Sequence, residues 1–521
     1  MEEEEEEEEE ILTNRDDDDI YEDFQVVLDD RLVKSAVVPS PSIHHSSLPS
    51  SSPSPPSLSL SSMIAPFLHP LSSSVTTTSS TSSSSMITSS TTSLSSSSSM
   101  MITTETNTDD DHIPPLIKQN SMEISDNAQA YPHLVLDEEM KTSGYWPARI
   151  YPQKIDRMNL PFDEDLVKLC ERVIDNVYNL ARECQQEENE PSIKWNNKGD
   201  ILDIILDTKN KEHQLHKIDL ICKSAAIPIK QQKNIVSAQA PSKIFGDVHG
   251  QFRDLLLLLI KFGFPHHREG DIDLVKSYVF NGDWLDRGPH QLEIMMFLFS
   301  LKFLYPHRVY LVRGNHEFRH QNECMSVMGH FGFNQACASL GHPKAYDLVH
   351  DVLEWLPIAC VLEKKILIIH GGIGNGEWGL NDLRDIYKRP VRCYYSDTTF
   401  TILNALWSDP IPESGVDQFI GGAHRNARDE RRGIIKTFGM DLTKKFCHAN
   451  GLSCIIRSHE VSPAGFKLMH RGRLISVFSA RNYDGKHHND GAILLAFWDD
   501  AGDLRIRAKS IASKNQNQGK A

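Results

Sequence analysis

Short runs of β-branched and aromatic residues recur through the later half of the chain, and five of them stop abruptly at a polar motif. The runs 243–245, 277–280, 309–312, 366–369 and 453–456 are too short for helices and too apolar for surface loops, so they predict buried strands. They give way in turn to Gly246-Asp247-Val248-His249-Gly250, Gly282-Asp283-Trp284-Leu285-Asp286-Arg287-Gly288, Gly314-Asn315-His316-Glu317, His370-Gly371-Gly372 and Arg457-Ser458-His459-Glu460. Elsewhere the period is helical. Leu166, Leu169, Cys170, Val173, Ile174, Val177 and Leu180 mark one apolar stripe over 163–184, with acidic residues early. Residues 254–261 and 291–303 predict helices leaving the first two motifs, and 201–206 a short helix beside a polar excursion at 187–210. From Gly246 on, the chain alternates strand, motif and helix, ending in a strand-rich stretch over 455–497.

The first 140 residues have no such pattern. Glu2 begins an unbroken glutamate run, Asp16 to Asp19 form a second acidic block, and 39–104 is mostly Ser and Thr with scattered Pro. So little apolar surface cannot offset the entropy of ordering, so a disordered tail is expected over 1–140. A catalytic domain with an N-terminal helical extension is expected over 141–510, and a flexible end over 511–521. The tail also explains the net charge: residues 1–140 sum to −22 and residues 141–521 to +5, together the −17 of the 521-residue chain. A mildly basic remainder suits an anionic substrate.

Nine cysteines without a CxxC pair predict reduced, buried thiols and hence a cytoplasmic or nuclear protein. The apolar stretches 255–260 and 492–498 are far short of a membrane span, and the glutamate run at the start is unlike a secretory signal. Neither membrane nor nucleic acid is expected as a partner.

Strand ends on one edge of a sheet are where α/β folds place ligand chemistry. The motifs bring there Asp247, His249, Asp283, Asn315, His370 and His459, the oxygen and imidazole donors of a two-metal site. Asp283 can bridge two ions with its two oxygens. Such mixed donors suit manganese, iron or zinc better than an all-oxygen magnesium cage. Two divalent or trivalent ions about 3.5–4 Å apart activate a water and clamp phosphoryl oxygens for in-line displacement. His316 follows a ligand directly and is read as the general acid for the departing alkoxide, oriented by Asp286. Arg287 offers a planar fork to phosphate. A lone His or Asp at a strand end is usually ordinary turn chemistry; the ordered set of five motifs is what departs from chance. Glu317 and Glu460 are read as structural or as supporting the ligands, and the roles of Arg313 and Arg457 are left open, with ion pairing favoured.

With these motifs, and with Trp407-Ser408-Asp409-Pro410, Thr437-Phe438-Gly439 and Ser479-Ala480-Arg481-Asn482-Tyr483, residues 220–497 resemble the phosphoprotein phosphatase (PPP) family of metal-dependent serine/threonine phosphatases. The wording His370-Gly371-Gly372-Ile373-Gly374 followed by Arg389-Pro390 is most similar to the branch that carries Kelch repeats, and no such repeats are present here. The resemblance implies an α+β, calcineurin-like metallophosphoesterase fold, a central β-sandwich flanked by helices. It implies one metal on Asp247, His249 and Asp283, and another on Asp283, Asn315, His370 and His459. It further implies His316 as proton donor with Asp286 as its partner, Arg287 on phosphate and Tyr483 lining the site. Phosphoprotein substrates and regulatory protein subunits are the partners it implies.

Two stretches depart from the family pattern. The second phosphate-binding arginine precedes Thr437-Phe438-Gly439 in the family, but here 411–432 is lengthened; spacing to Gly439 favours Arg432, with Arg428 next. After Tyr483, where many relatives carry a toxin-reactive cysteine, this chain has Asp484, so no covalent toxin adduct is expected. Two other readings compete with a phosphoserine/phosphothreonine phosphatase. A phosphodiesterase or dinucleotide polyphosphate hydrolase can use the same metal core, and a pseudophosphatase scaffold can keep the fold without the activity. Glu317, the setting of Arg287 and residues 479–483 favour the protein phosphatase over the first. Against the second, no metal ligand is missing.

Overall fold

Residues buried on both faces of a sheet read as continuous apolar runs, and that is how the predicted strands are built. The computed structural model describes residues 164–187, 191–197, 199–393, 399–412, 420–429 and 432–513. The tail expected over 1–140, and the chain end beyond 513, lie outside these residues.

Two sheets form the centre. In one, β2 (Ser242–Phe245), β3 (Ser277–Phe280) and β4 (Val309–Leu311) run parallel, with Phe245 opposite Phe280 and Phe280 opposite Leu311. On the other side of β2 lie antiparallel β13 (Gly491–Trp498) and the edge strand β14 (Leu504–Ile511). The second sheet has the order β1 (Ile235–Ala238), β5 (Ala359–Leu362), β6 (Ile366–Ile369), β10 (Cys454–Arg457), β12 (Leu474–Val477), β11 (Phe466–Met469). Here β6, β10 and β12 run parallel. A three-stranded sheet of β7 (Asp409–Pro410), β9 (Lys436–Phe438) and β8 (Ala423–Arg425) lies further along the chain.

The period of two decides which side chain goes where. Ile244, Val279, Ile366, Ile368, Ile456, Val477 and Leu494 share the core between the sheets. Their neighbours Phe245, Phe280, Leu311 and Leu495 turn outward onto helices α1 (Glu164–Gln186), α3 (Lys211–Gln231), α4 (Phe252–Phe262) and α5 (Gln291–Leu304), which follow or precede the short α2 (Asp200–Ile205). On the opposite face Leu367, Ile369, Ile455 and Leu474 pack on α9 (Leu380–Ile386), α10 (Phe400–Trp407) and α11 (Met440–Ala449). Between these groups α6 (Arg319–Val327), α7 (Phe333–Ser339) and α8 (Pro343–Leu353) pass beside the fourth strand's exit loop. Each fully buried Ile, Leu or Phe contributes about 1.5–3 kcal/mol, so the sandwich and its two flanks are mutually dependent.

The exits of β2, β3 and β4 and of β6, β10 and β12 meet at one edge. A parallel bridge pairs Asp247 with Phe478, and Ser479 and Ala480 donate backbone N–H groups to the Asp247 carbonyl at 3.0 and 2.9 Å. The five motifs therefore converge. At the chain's other end Ile511 is still in strand, and the Ala512 carbonyl accepts from Arg481 Nη1.

Candidate metal centre

Three of the five motifs leave their strands through turns that few side chains tolerate. His249, Asp283, Asp286, Arg287 and His459 have φ values of 42°, 51°, 63°, 73° and 77°, a left-handed region that costs a non-glycine residue about 1–3 kcal/mol and is retained where function demands it. The first two motifs touch through glycines: a Cβ on Gly250 would lie 2.6 Å from the Gly288 carbonyl oxygen, and Gly288 N donates to the His249 carbonyl at 2.8 Å. A larger residue at either place would separate the two loops.

Asp283 lies at the middle of the gathered donors. Its Oδ2 is 3.2 Å from His370 Nε2, 3.6 Å from His249 Nε2 and 4.0 Å from His316 Nε2. Asp247 Oδ2 is 3.9 Å from His249 Nε2, and His459 joins Asp283 and His370 in a second buried group. The six predicted ligands are thus brought together, all of them buried.

Several features fit two cations. His249 Nδ1 donates to the Leu285 carbonyl and His370 Nδ1 to the Asn281 carbonyl, each at 2.8 Å, which leaves both Nε2 atoms as bare lone pairs aimed inward. His370 Nε2 then faces Asn315 Oδ1 at 2.8 Å, two acceptors with no proton to share. His459 Nε2 is buried with no hydrogen-bond partner among the described residues. Burial, with Asp283 beside it, pushes the Asp247 carboxyl up to about 7. Burial does the same to Asp283, to about 8, and holds the imidazoles of His249 and His459 well below their ordinary value. Neutral imidazoles crowded with reluctant carboxylates make a donor set short of positive charge.

That deficit fixes a sign. A carboxyl whose folded pKa is raised binds more protons folded than unfolded between its ordinary range and about 7–8, so the metal-free fold loses stability as pH rises through that window. Chelation is therefore expected to lower the melting temperature more at pH 8 than at pH 6. Scanning calorimetry with and without a chelator checks this; an equal drop at both values would separate these carboxylates from the metal.

His316 sits beside the ligands with its other nitrogen engaged: Nδ1 donates to Asp286 Oδ2 at 2.7 Å, and Nε2 is left facing the centre. Asp286 is itself anchored, its Oδ1 accepting from Phe333 N at 2.9 Å and its Oδ2 from Asn322 Nδ2 at 2.9 Å. Tyr483 packs 5.3 Å from the His249 ring, and the Arg287 guanidinium lies over it at 5.4 Å. Glu317 is structural, as read: its carboxylate accepts from Asp283 N, Trp284 N and Gly314 N at 2.8–2.9 Å, knitting two motif loops together. Arg457 pairs with Asp409 and Glu460. Arg313 differs from its reading, donating to the carbonyls of Glu317 and Val391 and stacking on Phe318.

The lengthened stretch holds both arginine candidates. Arg428 Nε donates to Asp409 Oδ2 at 2.7 Å, and the Arg428 charge acts on Asp283, His316 and His459. Arg432 lies within a turn in which Gly433 N returns to the Asp429 carbonyl and the Asp429 carboxylate accepts from Ile434 N and Ile435 N. Spacing to Gly439 favours Arg432, while the charge that reaches Asp283, His316 and His459 favours Arg428. Alanine at 428 is expected to raise KM and lower kcat, together by about tenfold or more in kcat/KM, with a smaller effect at 432. Steady-state kinetics of the two variants on one phosphopeptide decides between them. Asn281, Asn322 and His350 were not legible beforehand. Asn281 adjoins a motif, but the other two lie in helices with no pattern of their own.

Residues 241–463 match the family described as calcineurin-like phosphoesterase. The chain is 38% identical over 279 residues to serine/threonine-protein phosphatase BSL2 of Arabidopsis thaliana, covering 53% of this chain and 26% of that protein. It is 36% identical over 241 residues to human serine/threonine-protein phosphatase 5, covering 46% and 43%. A solved serine/threonine phosphatase from Saccharomyces cerevisiae aligns at 28% identity over 58% of this chain and 91% of its own, with a TM-score of 0.47. The chain spans less than half the length of the two curated relatives. Over residues 241–463 the chain is thus similar to calcineurin-like phosphoesterases, and over about half its length to proteins named serine/threonine-protein phosphatases.

Proposed function

We propose that this protein is a protein serine/threonine phosphatase that hydrolyses phosphoserine and phosphothreonine monoesters. One observation carries the reading: a buried His–Asp dyad, His316 on Asp286, is held with its free nitrogen 4.0 Å from the carboxylate shared by both ligand groups. Asp247, His249 and Asp283 would hold one ion, and Asp283, Asn315, His370 and His459 the other, with manganese, iron or zinc as the fitting metals. When bound, such a pair supplies Lewis-acid charge that acidifies water and neutralises phosphoryl oxygens.

The chain's own groups do the rest. Arg287 and Arg428 offer forks to the phosphoryl oxygens, with Asp409 fixing one edge of Arg428. Tyr483 closes the side of the site next to His249 and keeps bulk water from it. His316 delivers a proton from Nε2 to the departing serine or threonine oxygen, while Asp286 fixes the ring through Nδ1. Phosphoproteins are the proposed substrates, with regulatory subunits as further partners. A cytoplasmic or nuclear location accords with the cysteines, seven of the nine being buried.

Purified protein supplied with manganese is expected to release phosphate from a phosphoserine peptide far faster than it cleaves bis-p-nitrophenyl phosphate. Preference for the diester would favour a phosphodiesterase. A fully metallated protein inert toward every phosphopeptide would leave only the scaffold reading.

A further inference from the structure

The anchoring of Asp286 extends one residue further than the dyad requires. Asn322 spends both amide hydrogens inward, one on Asp286 Oδ2 at 2.9 Å and one on the His316 carbonyl at 2.8 Å. That fixes which way its amide faces, so Asn322 Oδ1 must point to His350, whose Nε2 lies 2.7 Å away. An amide oxygen only accepts, so His350 must carry its proton on Nε2. The rest of the pocket permits nothing else. His350 Nδ1 is buried without a hydrogen-bond partner among the described residues, and the ring is packed between Phe333 and Tyr346 at 6.0 and 4.6 Å. Burial, with the charges of Arg319 and Arg313 adding to it, holds its pKa well below the ordinary imidazole value. Arg319 is itself occupied by Asp347, Asp351 and Glu354.

A histidine is a costly way to fill an apolar pocket, because one of its nitrogens goes without a partner. It is explained if its one N–H matters. The donor chain runs His350 to Asn322 to Asp286 and meets His316 on the same Asp286 oxygen, Oδ2, so the orientation of that oxygen is set from both sides. We propose that His350 is a positioning residue for the His316 proton donor, acting through Asn322 and Asp286, and that its effect is confined to substrates whose leaving group needs a proton. This rests on the phosphatase reading above and extends it to a residue on α8, outside every motif. No bond is made or broken at His350.

The test compares two substrates on the intact enzyme. Phenylalanine at 350 keeps the ring's shape and removes the donor, leaving Asn322 Oδ1 unpaired. His350→Phe is expected to lower kcat on a phosphoserine peptide by about tenfold, a fraction of the effect of a general acid, while kcat on p-nitrophenyl phosphate changes less than twofold. His350→Gln, which can return an N–H to Asn322, is expected to recover most of that loss. In a double-mutant cycle with Asn322→Leu, the second substitution should add little to the first. Equal losses on both substrates, or a glutamine variant no better than phenylalanine, would reduce His350 to a packing residue. Nitrogen-15 shifts of the His350 ring in the wild-type protein give a check that survives a variant's failure to fold: a neutral Nε2–H tautomer supports the chain of donors, and an Nδ1–H tautomer or an imidazolium at pH 7 overturns it. Wild-type inactivity on the peptide would count against the phosphatase reading instead, and the ring tautomer would still be measurable.

Discussion

Asparagine in place of Asp283 is expected to cut phosphate release from a phosphopeptide by about a thousandfold or more. One carboxylate oxygen, Oδ2, faces His370 Nε2 at 3.2 Å and His249 Nε2 at 3.6 Å, so it is common to both ligand groups. The other, Oδ1, accepts from His316 N at 2.9 Å and holds the proton donor's backbone. Asparagine keeps that acceptor and the shape of the loop, and removes only the bridging anion. Losing several kcal/mol of charge stabilisation corresponds to about three orders of magnitude in rate. The fold should not suffer. Burial pushes Asp283 up to about 8, with Asp286 adding to the crowding, so the neutral amide relieves a strained group in the metal-free protein. The expected pattern is therefore a metal-free melting temperature no lower than wild type, with metal content below two ions per chain by elemental analysis. A folded variant with normal turnover and full metal content would remove Asp283 from the centre.

Why the motifs were readable from sequence alone follows from the same geometry. Strands buried on both faces leave a continuous apolar signal, and a run such as 366–369 was bounded to the residue because His370 ends it with a polar, functional group. The six ligands and His316 all lie within a few residues of such an ending. Helix α1 was legible because one face is solvated and the stripe from Leu169 to Cys184 is clean. Helix α3 was not, because its buried face includes Gln214, Ser224 and Pro228 and its neighbours are charged. Side-chain chains such as His350 to Asn322 join residues 28 apart on different helices, and no one-dimensional period records that. The choice between Arg428 and Arg432 shows where spacing stops deciding. Spacing from Gly439 is a good ruler only while the intervening chain keeps its length, and the turn closed by Asp429 lies between Gly439 and Arg428.

Glutamine at 316 is expected to lower kcat on a phosphoserine peptide by roughly a hundredfold to ten-thousandfold, the range of a general acid, with metal content unchanged. His316 is not needed to hold the fold: its ring packs edge-on to His249 at 4.7 Å, and its one strong side-chain bond is to Asp286, which keeps Asn322 and Phe333 as donors when the imidazole is gone. The loss should depend on what departs. A serine alkoxide is a very poor leaving group without a proton, whereas p-nitrophenolate leaves unaided, so the variant should be close to wild type on the aryl ester. The pH profile carries the same signature. A donor must be protonated to act, so wild-type kcat on the peptide should fall as pH rises through its pKa in the complex, and the variant's residual activity should lack that fall. Asp286→Asn should reproduce the substrate dependence more weakly, because an amide can still accept from His316 Nδ1 but no longer supports the positive ring. If glutamine at 316 instead slowed both esters equally, the residue would be acting on the metals or on phosphate binding, and proton delivery would have to be sought from water.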